Sequence, residues 1–109
     1  MPCTFEIFKG HEGEFYFRLK GASGEPILSS QSFATKTGAE HGVDAVRMNA
    51  PIHAHYDRRQ TTDGFSFVVK SVAHQVIGRS ELYATAAARD AGMLTVKSDA
   101  AEAAVEDQT

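Results

Sequence analysis

Residues 64–100, GFSFVVKSVAHQVIGRSELYATAAARDAGMLTVKSDA, repeat the pattern of residues 14–50, EFYFRLKGASGEPILSSQSFATKTGAEHGVDAVRMNA. The two stretches align at a constant offset of 50 residues without a gap. The matching positions are Phe15, Phe17, Lys20, Ile27, Ser30, Ala34, Thr35, Gly42, Val46 and Ala50, which recur as Phe65, Phe67, Lys70, Ile77, Ser80, Ala84, Thr85, Gly92, Val96 and Ala100. The sequence therefore predicts two copies of one structural unit.

The length of the chain limits how these two units can fold. With 109 residues it can bury one modest core, whereas a unit of about fifty residues lies near the lower limit for folding alone. We therefore predict a single domain over residues 1–109 in which the two repeats share one core. Repeat one covers about residues 4–51 and repeat two about residues 55–109.

Composition and charge are those of an ordinary globular protein, with 42% hydrophobic and 23% charged residues and a formal net charge of −3. No apolar run approaches the roughly 18 residues of a membrane span, and the N-terminus lacks the pattern of a signal peptide. We expect no membrane partner. Cys3 is the sole cysteine, which favours a reduced thiol and a cytoplasmic location. The weak acidity gives no reason to expect nucleic-acid binding.

Alternating polarity predicts the strands of the first unit. Phe15, Phe17 and Leu19 share one face of a half-buried strand, and the residues between them are polar. The predicted strands are residues 5–8, 14–20 and 26–30, joined by turns at residues 10–13 and 22–25, after an irregular end at residues 1–4. A proline suits the first residue of the third strand.

A helix follows, with Thr35 as its predicted N-cap. Its apolar stripe consists of Ala39, Gly42, Val43 and Val46. Because Gly42 recurs as Gly92, we expect the helix backbone to approach the sheet closely there. We expect Pro51 to move Ala50 out of the α region and so to end the helix.

The second unit follows the same plan with local differences. Residues 56–59 take the part of residues 5–8, slipped by one position, and a turn follows at residues 61–64. His74 stands at the place of Gly24, and histidine tolerates the left-handed region. Thr85 caps a helix that runs to about Ser98, in which Arg89 weakens the apolar stripe. The last predicted elements are a strand at residues 76–80 and a short strand at residues 105–107.

Each unit therefore consists of three strands and a helix. The predicted fold is α+β: a tandem β-β-β-α repeat with a pseudo-two-fold axis, whose antiparallel sheet carries both helices on one face. The two halves are expected to pair edge to edge, which removes two exposed sheet edges.

The sequence resembles the YegP-like family of small bacterial proteins. The resemblance rests on FEIFKGHEGEFYFRLKGASGEPILSSQSF, on GVDAVRMNA at the end of the first helix, and on the second copy at residues 64–100. It implies a tandem β3-α repeat, sometimes with a trailing strand. Some relatives carry one unit and pair as dimers, which would make this chain a monomeric, covalent pseudo-dimer. The resemblance implies neither an activity nor catalytic residues.

Two sets of residues are candidates for binding. His53 and His55 would project to the same side of an extended segment, as two zinc ligands can, and His41, Asp57 or Cys3 would have to complete the site. A solvated linker is the favoured alternative. Tyr16, Arg18 and Lys20, with Lys70, form the polar sides of their strands and could bind an extended polymer, a peptide strand or another protein. The alternative is a solvated sheet face.

No nucleophile, phosphate-loop or metalloprotease motif is present, so we predict no catalytic residues and no cofactor. The leading hypothesis is a non-enzymatic, cytosolic binding or scaffold module with a protein or peptide partner. The alternative is a small metal-dependent protein or enzyme that uses the segment of His53 and His55.

Overall fold

The structure is a computed structural model that describes residues 3–109. The elements are β1 (Thr4–Lys9), β2 (Phe15–Lys20), β3 (Pro26–Ser29), α1 (Lys36–Asn49), a 3-10 helix (His53–His55), β4 (Tyr56–Thr61), β5 (Gly64–Lys70), β6 (Val76–Ser80), α2 (Ala86–Asp99), a second 3-10 helix (Ala100–Glu102) and β7 (Ala104–Asp107).

The strands form one sheet in the order β4-β5-β6-β3-β2-β1-β7. The predicted α+β fold with a tandem repeat is confirmed, and the two repeats join through the antiparallel pair of β3 and β6, where Ser29 lies opposite its equivalent Arg79. The predicted strand in the tail is also present. It runs parallel to β1, so the sheet is mixed rather than wholly antiparallel.

The first strands of the two repeats show the predicted slip. Phe5 pairs with Leu19 in β2, and Tyr56 pairs with Val69 in β5. Leu19 and Val69 are equivalent at the constant offset, whereas Tyr56 comes one position later than that offset would place it. The stretch between the paired residues Gln60 and Phe65 is correspondingly one residue shorter than the stretch between Lys9 and Phe15.

Both repeats carry a β-bulge at the same place. The register shifts after Leu19 between β2 and β3, and after Val69 between β5 and β6. At a bulge, two consecutive side chains of one strand can face the same side of the sheet. Ile27 and Leu28 are consecutive in β3, and both belong to the buried cluster. In the turn before β6, His74 takes a φ of 64°, as predicted, where Gly24 has 87°.

One hydrophobic cluster draws on both repeats, and Phe17 and Phe67 at its centre are fully buried. The expected close approach of the helices to the sheet is present. A Cβ atom on Gly42 would lie 2.7 Å from the Phe17 ring, and one on Gly92 would collide with Tyr83. Arg89 is buried, with its guanidinium 5.5 Å from the centre of the Phe65 ring.

The helix caps agree with the sequence, but the reason given for the end of α1 is wrong. The Gly38 amide donates to Thr35 Oγ1 (3.0 Å) and the Ala88 amide to Thr85 Oγ1 (3.1 Å). Ala50 stays in the α region (φ −56°, ψ −38°), because its amide still donates to a carbonyl of the last turn. α2 ends at the equivalent position without a proline after it, so Pro51 is not what ends the helix.

The N-terminus is more ordered than expected where the structure describes it. Met1 and Pro2 lie outside the described residues. Cys3 is buried although it lies before the first strand, and Thr4 already belongs to β1, so the expected irregular end does not include Thr4. Within residues 3–109, neither helix has the length and apolar character needed to cross a bilayer.

Candidate functional site

The face of the sheet opposite the helices, called the outer face below, carries the residues that alternate with the core. Phe17 and Leu19 of β2 are buried in the cluster, so Tyr16, Arg18 and Lys20 lie on the outer face. The structure therefore brings together three of the four predicted binding residues.

A buried carboxylate lies among these cations. Glu6 of β1 is 3% exposed, and its two oxygens lie 2.7 Å from Arg18 Nε and 2.6 Å from Lys20 Nζ. Gln108 also donates to Glu6 (3.0 Å). The hydrogen bonds from Lys20 and Arg18 outweigh burial and lower the pKa of Glu6. Glu6 therefore holds the two cations in place as an ionised group.

Two aromatic rings complete the cluster. Phe8 and Tyr16 lie directly opposite each other in β1 and β2, and their rings stack with centres 5.5 Å apart and an interplanar angle of 16°. The Arg18 guanidinium lies 4.7 Å from the centre of the Phe8 ring. We call the group Glu6, Phe8, Tyr16, Arg18 and Lys20 the aromatic–basic patch.

Lys70 does not belong to this patch. It lies on β5, which β6 and β3 separate from β2. Its ammonium is 3.4 Å from Asp57, a carboxylate that also lies 3.7 Å from Arg59. In the second repeat the positions of Phe8 and Tyr16 are taken by Arg59 and Ser66, which pair directly with each other.

Sequence reasoning missed Glu6 and Phe8. Both alternate with the core residues Phe5 and Ile7, so the period of two in β1 was the signal that places them on the outer face. The pairing of β1 with β2, which brings Phe8 to Tyr16, is a property of the sheet that the alternation alone does not supply.

On the helix side, two open grooves are related by the repeat. One is lined by Phe33, His41 and Ile77, and the other by Tyr83, Asp99 and Ile27, with Cys3 at its end. Burial and the nearby Asp99 carboxylate raise the pKa of the Cys3 thiol. Cys3 is therefore protonated and unreactive at neutral pH.

The premise of the predicted zinc site is wrong, because His53 and His55 lie in a 3-10 helix and not in an extended segment. Their side chains engage different partners: His53 Nδ1 lies 3.0 Å from Lys97 Nζ, and His55 Nδ1 lies 2.7 Å from Asn49 Oδ1. Among residues 3–109, no three histidine, cysteine or acidic side chains are grouped as metal ligands.

Comparison with known proteins identifies the repeat. The family model described as "Domain of unknown function (DUF1508)" matches twice, at residues 11–57 and 61–107. The first match begins in the turn before β2, and the second begins at Thr61, the last residue of β4. Each match ends in the strand that follows the helix, so the family's unit includes a trailing strand.

Relatives in other bacteria match nearly the whole chain. The UPF0339 protein in the ptx operon 5′ region of Stutzerimonas stutzeri is 44% identical over 96% of each chain. The UPF0339 protein YegP of Escherichia coli K12 is 40% identical over the whole of both chains.

Two solution NMR structures have the same fold. The E. coli protein of unknown function yegP superposes with a TM-score of 0.92 at 39% identity, covering 100% of this chain and 95% of its own. A UPF0339 protein of Shewanella oneidensis superposes with a TM-score of 0.92 at 35% identity, covering 98% and 92%. The resemblance inferred from the sequence is thereby confirmed. The chain belongs to the YegP-like, UPF0339 family and carries two DUF1508 repeats.

Proposed function

We propose that this protein is a non-enzymatic binding module of the cytosol whose aromatic–basic patch recognises an acidic segment of a partner protein. The observation that carries the proposal is the stack of Phe8 on Tyr16, with Arg18 over Phe8, on the outer face of the sheet. The helix-facing sides of the same strands already form the core, so these rings are not needed to fill it.

The duplication supplies an internal comparison. The second repeat builds the same strand pair with Arg59 and Ser66 in place of the two rings. A strand pair of this fold therefore forms without outer-face aromatics. The fold therefore does not require the two outer-face rings of the first repeat.

The chemistry of the patch suits a polypeptide with negative charge. Tyrosine and arginine are enriched among the residues that dominate protein interfaces. Glu6 balances one of its two neighbouring cations, which leaves the patch with a net positive charge on a chain of net charge −3. The Arg18 side chain is 41% exposed, so a partner carboxylate can reach it.

The carboxyl groups with shifted pKa values support the non-enzymatic part of the proposal. The pKa values of Glu6, Asp90 and Asp107 are lowered, and each group is bonded to a lysine or arginine. This is the pattern of structural ion pairs, whereas a general acid or base needs a pKa raised or poised near neutrality. The cytosolic location is supported by the single cysteine, a buried free thiol.

Site-specific photo-crosslinking tests the proposal. A benzophenone amino acid replaces Tyr16, which keeps a ring beside Phe8, and in a matched control it replaces Ser66, the equivalent position of the second repeat. We expect adducts with an acidic protein segment at position 16 and none at position 66. The segment, identified by mass spectrometry, is then made as a peptide and titrated onto the wild type and Phe8→Ala.

The expected affinity of the peptide falls at least about tenfold in Phe8→Ala, because this variant removes the ring that stacks on Tyr16 without changing the charge of the patch. It also falls in about 0.5 M salt, where charges are screened over a few ångströms. Equal adducts at both positions, adducts with nucleic acid only, or an affinity unchanged by Phe8→Ala would contradict the proposal.

A further inference from the structure

The two ends of the sheet differ. At one end β7 runs parallel to β1, with Phe5 opposite Val105 and Ile7 opposite Asp107. At the other end β4 is the outermost strand, and its residues 58–61 are exposed. Because β4 pairs with β5 as β1 pairs with β2, the outer edge of β4 is the counterpart of the edge that β7 covers.

The duplication explains why this edge is not covered by the chain itself. The segment of the first repeat that corresponds to β7, fifty positions earlier, is residues 54–57. These residues lead directly into β4 and supply its first two positions. Residues 3–109 thus provide one trailing strand for two equivalent edges.

Three features are associated with β7 at the covered edge. Val105 lines a small cavity together with Ile7 and the α1 residues Val43 and Asp44. The Lys36 ammonium, at the start of α1, donates to the Asp107 carboxylate. The Arg47 guanidinium donates to the carbonyl of Ala103, where the chain enters the strand.

Two residues of the second repeat correspond to residues at the covered edge. Leu94 of α2 stands at the position of Asp44, which lines the cavity next to Val105, and its large apolar side chain is 63% exposed. Arg58 stands at the strand position of Ile7, opposite which β7 places Asp107. Its ion pair with Asp90 (3.1 Å) joins two half-exposed side chains, so it is weak and can be exchanged for another carboxylate.

We propose that the outer edge of β4 accepts an extended, acidic segment of a partner protein as an eighth strand, parallel to β4 as β7 is to β1. Backbone hydrogen bonds to the unpaired edge provide affinity that does not depend on sequence. Leu94 covers an apolar side chain at the position of Val105, and Arg58 binds an acidic one at the position of Asp107.

The charges of β4 decide which strand is accepted. Charged side chains on an edge strand prevent indiscriminate pairing. Arg58 and Arg59 repel a basic strand and attract an acidic one, so they make the edge selective. The edge lies at the opposite end of the sheet from the aromatic–basic patch, so either proposal can fail without the other.

The test uses the full chain and a labelled peptide with the sequence of residues 101–109, AEAAVEDQT, which carries the side chains of β7. The chain's own β7 keeps the β1 edge occupied because an attached strand has an effective concentration in the millimolar range. Peptide binding is followed by fluorescence anisotropy, and the site is mapped by amide chemical-shift changes. The control peptide has lysine in place of both residues that correspond to Glu106 and Asp107.

We expect the peptide to bind and to change the amide chemical shifts along β4 and α2. Its affinity should be at least about tenfold weaker in Arg58→Glu and in Leu94→Asp. The second substitution introduces the aspartate that the first repeat has at the equivalent position. Met48→Asp is the matched control, because Met48 is an equally exposed apolar residue on α1. Circular dichroism confirms that each variant is folded. Absence of binding, shift changes confined to β1, equal binding of the lysine peptide, or equal losses in Met48→Asp would overturn the proposal.

Discussion

The side chain of Leu28 occupies the space that a side chain at Gly78 would need. The two positions are equivalent in the repeat, and a Cβ atom on Gly78 would lie 2.7 Å from a terminal carbon of Leu28. Ser29 and Arg79, which are also equivalent, lie opposite each other, so the pseudo-two-fold axis passes between them. Two leucines at positions 28 and 78 would collide beside this axis. The sequence symmetry therefore has to break there.

The contact of Leu28 with Gly78 predicts strong coupling between substitutions at the two positions. Leu28→Ala should lower the free energy of unfolding by about 2.7–5 kcal/mol, because Leu28 is fully buried. Gly78→Ala should cost about 1–3 kcal/mol in the wild type through overpacking, and clearly less in the Leu28→Ala background. Urea denaturation of the four proteins measures the coupling. Additive losses would show that the two residues do not compete for space.

Separation of the repeats after Pro51 should leave two fragments that are each poorly folded or dimeric. Phe17 of the first repeat and Phe67 of the second belong to one buried cluster, and β3 loses its partner β6 on cleavage. Each fragment would expose that apolar surface and an open strand edge. Circular dichroism and analytical ultracentrifugation of each fragment check this. Two well-folded, monomeric fragments would disprove a shared core.

Acid should destabilise the protein in part through Glu6. The pKa of Glu6 is lowered in the folded state, so its ionisation adds stability above the unfolded value of about 4.3, and this stability is lost as the pH falls through the folded pKa. Glu6→Gln should be less stable than the wild type at pH 7 and should lose less on acidification below about pH 4. Thermal unfolding across pH measures both effects. Glu12→Gln, in an exposed turn, is the control and should follow the wild type.

Zinc should leave the melting temperature unchanged, because His53 and His55 engage Lys97 and Asn49 rather than a common point. A specific site at about one hundred times its dissociation constant would stabilise the fold by roughly 2.7 kcal/mol. Scanning calorimetry with and without zinc distinguishes the two outcomes. A clear rise in melting temperature that is lost in His53→Ala would restore the metal-dependent alternative.

Most of the fold could be predicted from local sequence patterns. Period-two alternation around Phe17 and Phe67 located the strands, and Thr35 and Thr85 located the helix starts, because each pattern depends only on neighbouring residues. The same reasoning failed at Ala50 and at His53, where the chain keeps a helical conformation. A proline disfavours that conformation in the preceding residue but does not forbid it.

The candidate sites depended on distant contacts. Tyr16, Arg18 and Lys20 follow from alternation along β2, but Phe8 and Glu6 join them only through the register of β1 with β2. Lys70 shared the alternation and still lies apart, because β3 and β6 lie between β2 and β5 in the sheet. The free edge of β4 follows from strand order, which no local pattern encodes.

The sequence by itself determined the duplicated unit, its strands, its capped helices and the residues that face the core, since these follow from periodicity and side-chain chemistry along the chain. Only the tertiary structure decided that β7 returns to β1 while β4 remains at the edge, and that Glu6 lies between Arg18 and Lys20. The reason is physical: strand order and register are set by packing between segments far apart in sequence, and within residues 3–109 the two repeats supply one trailing strand for two equivalent edges.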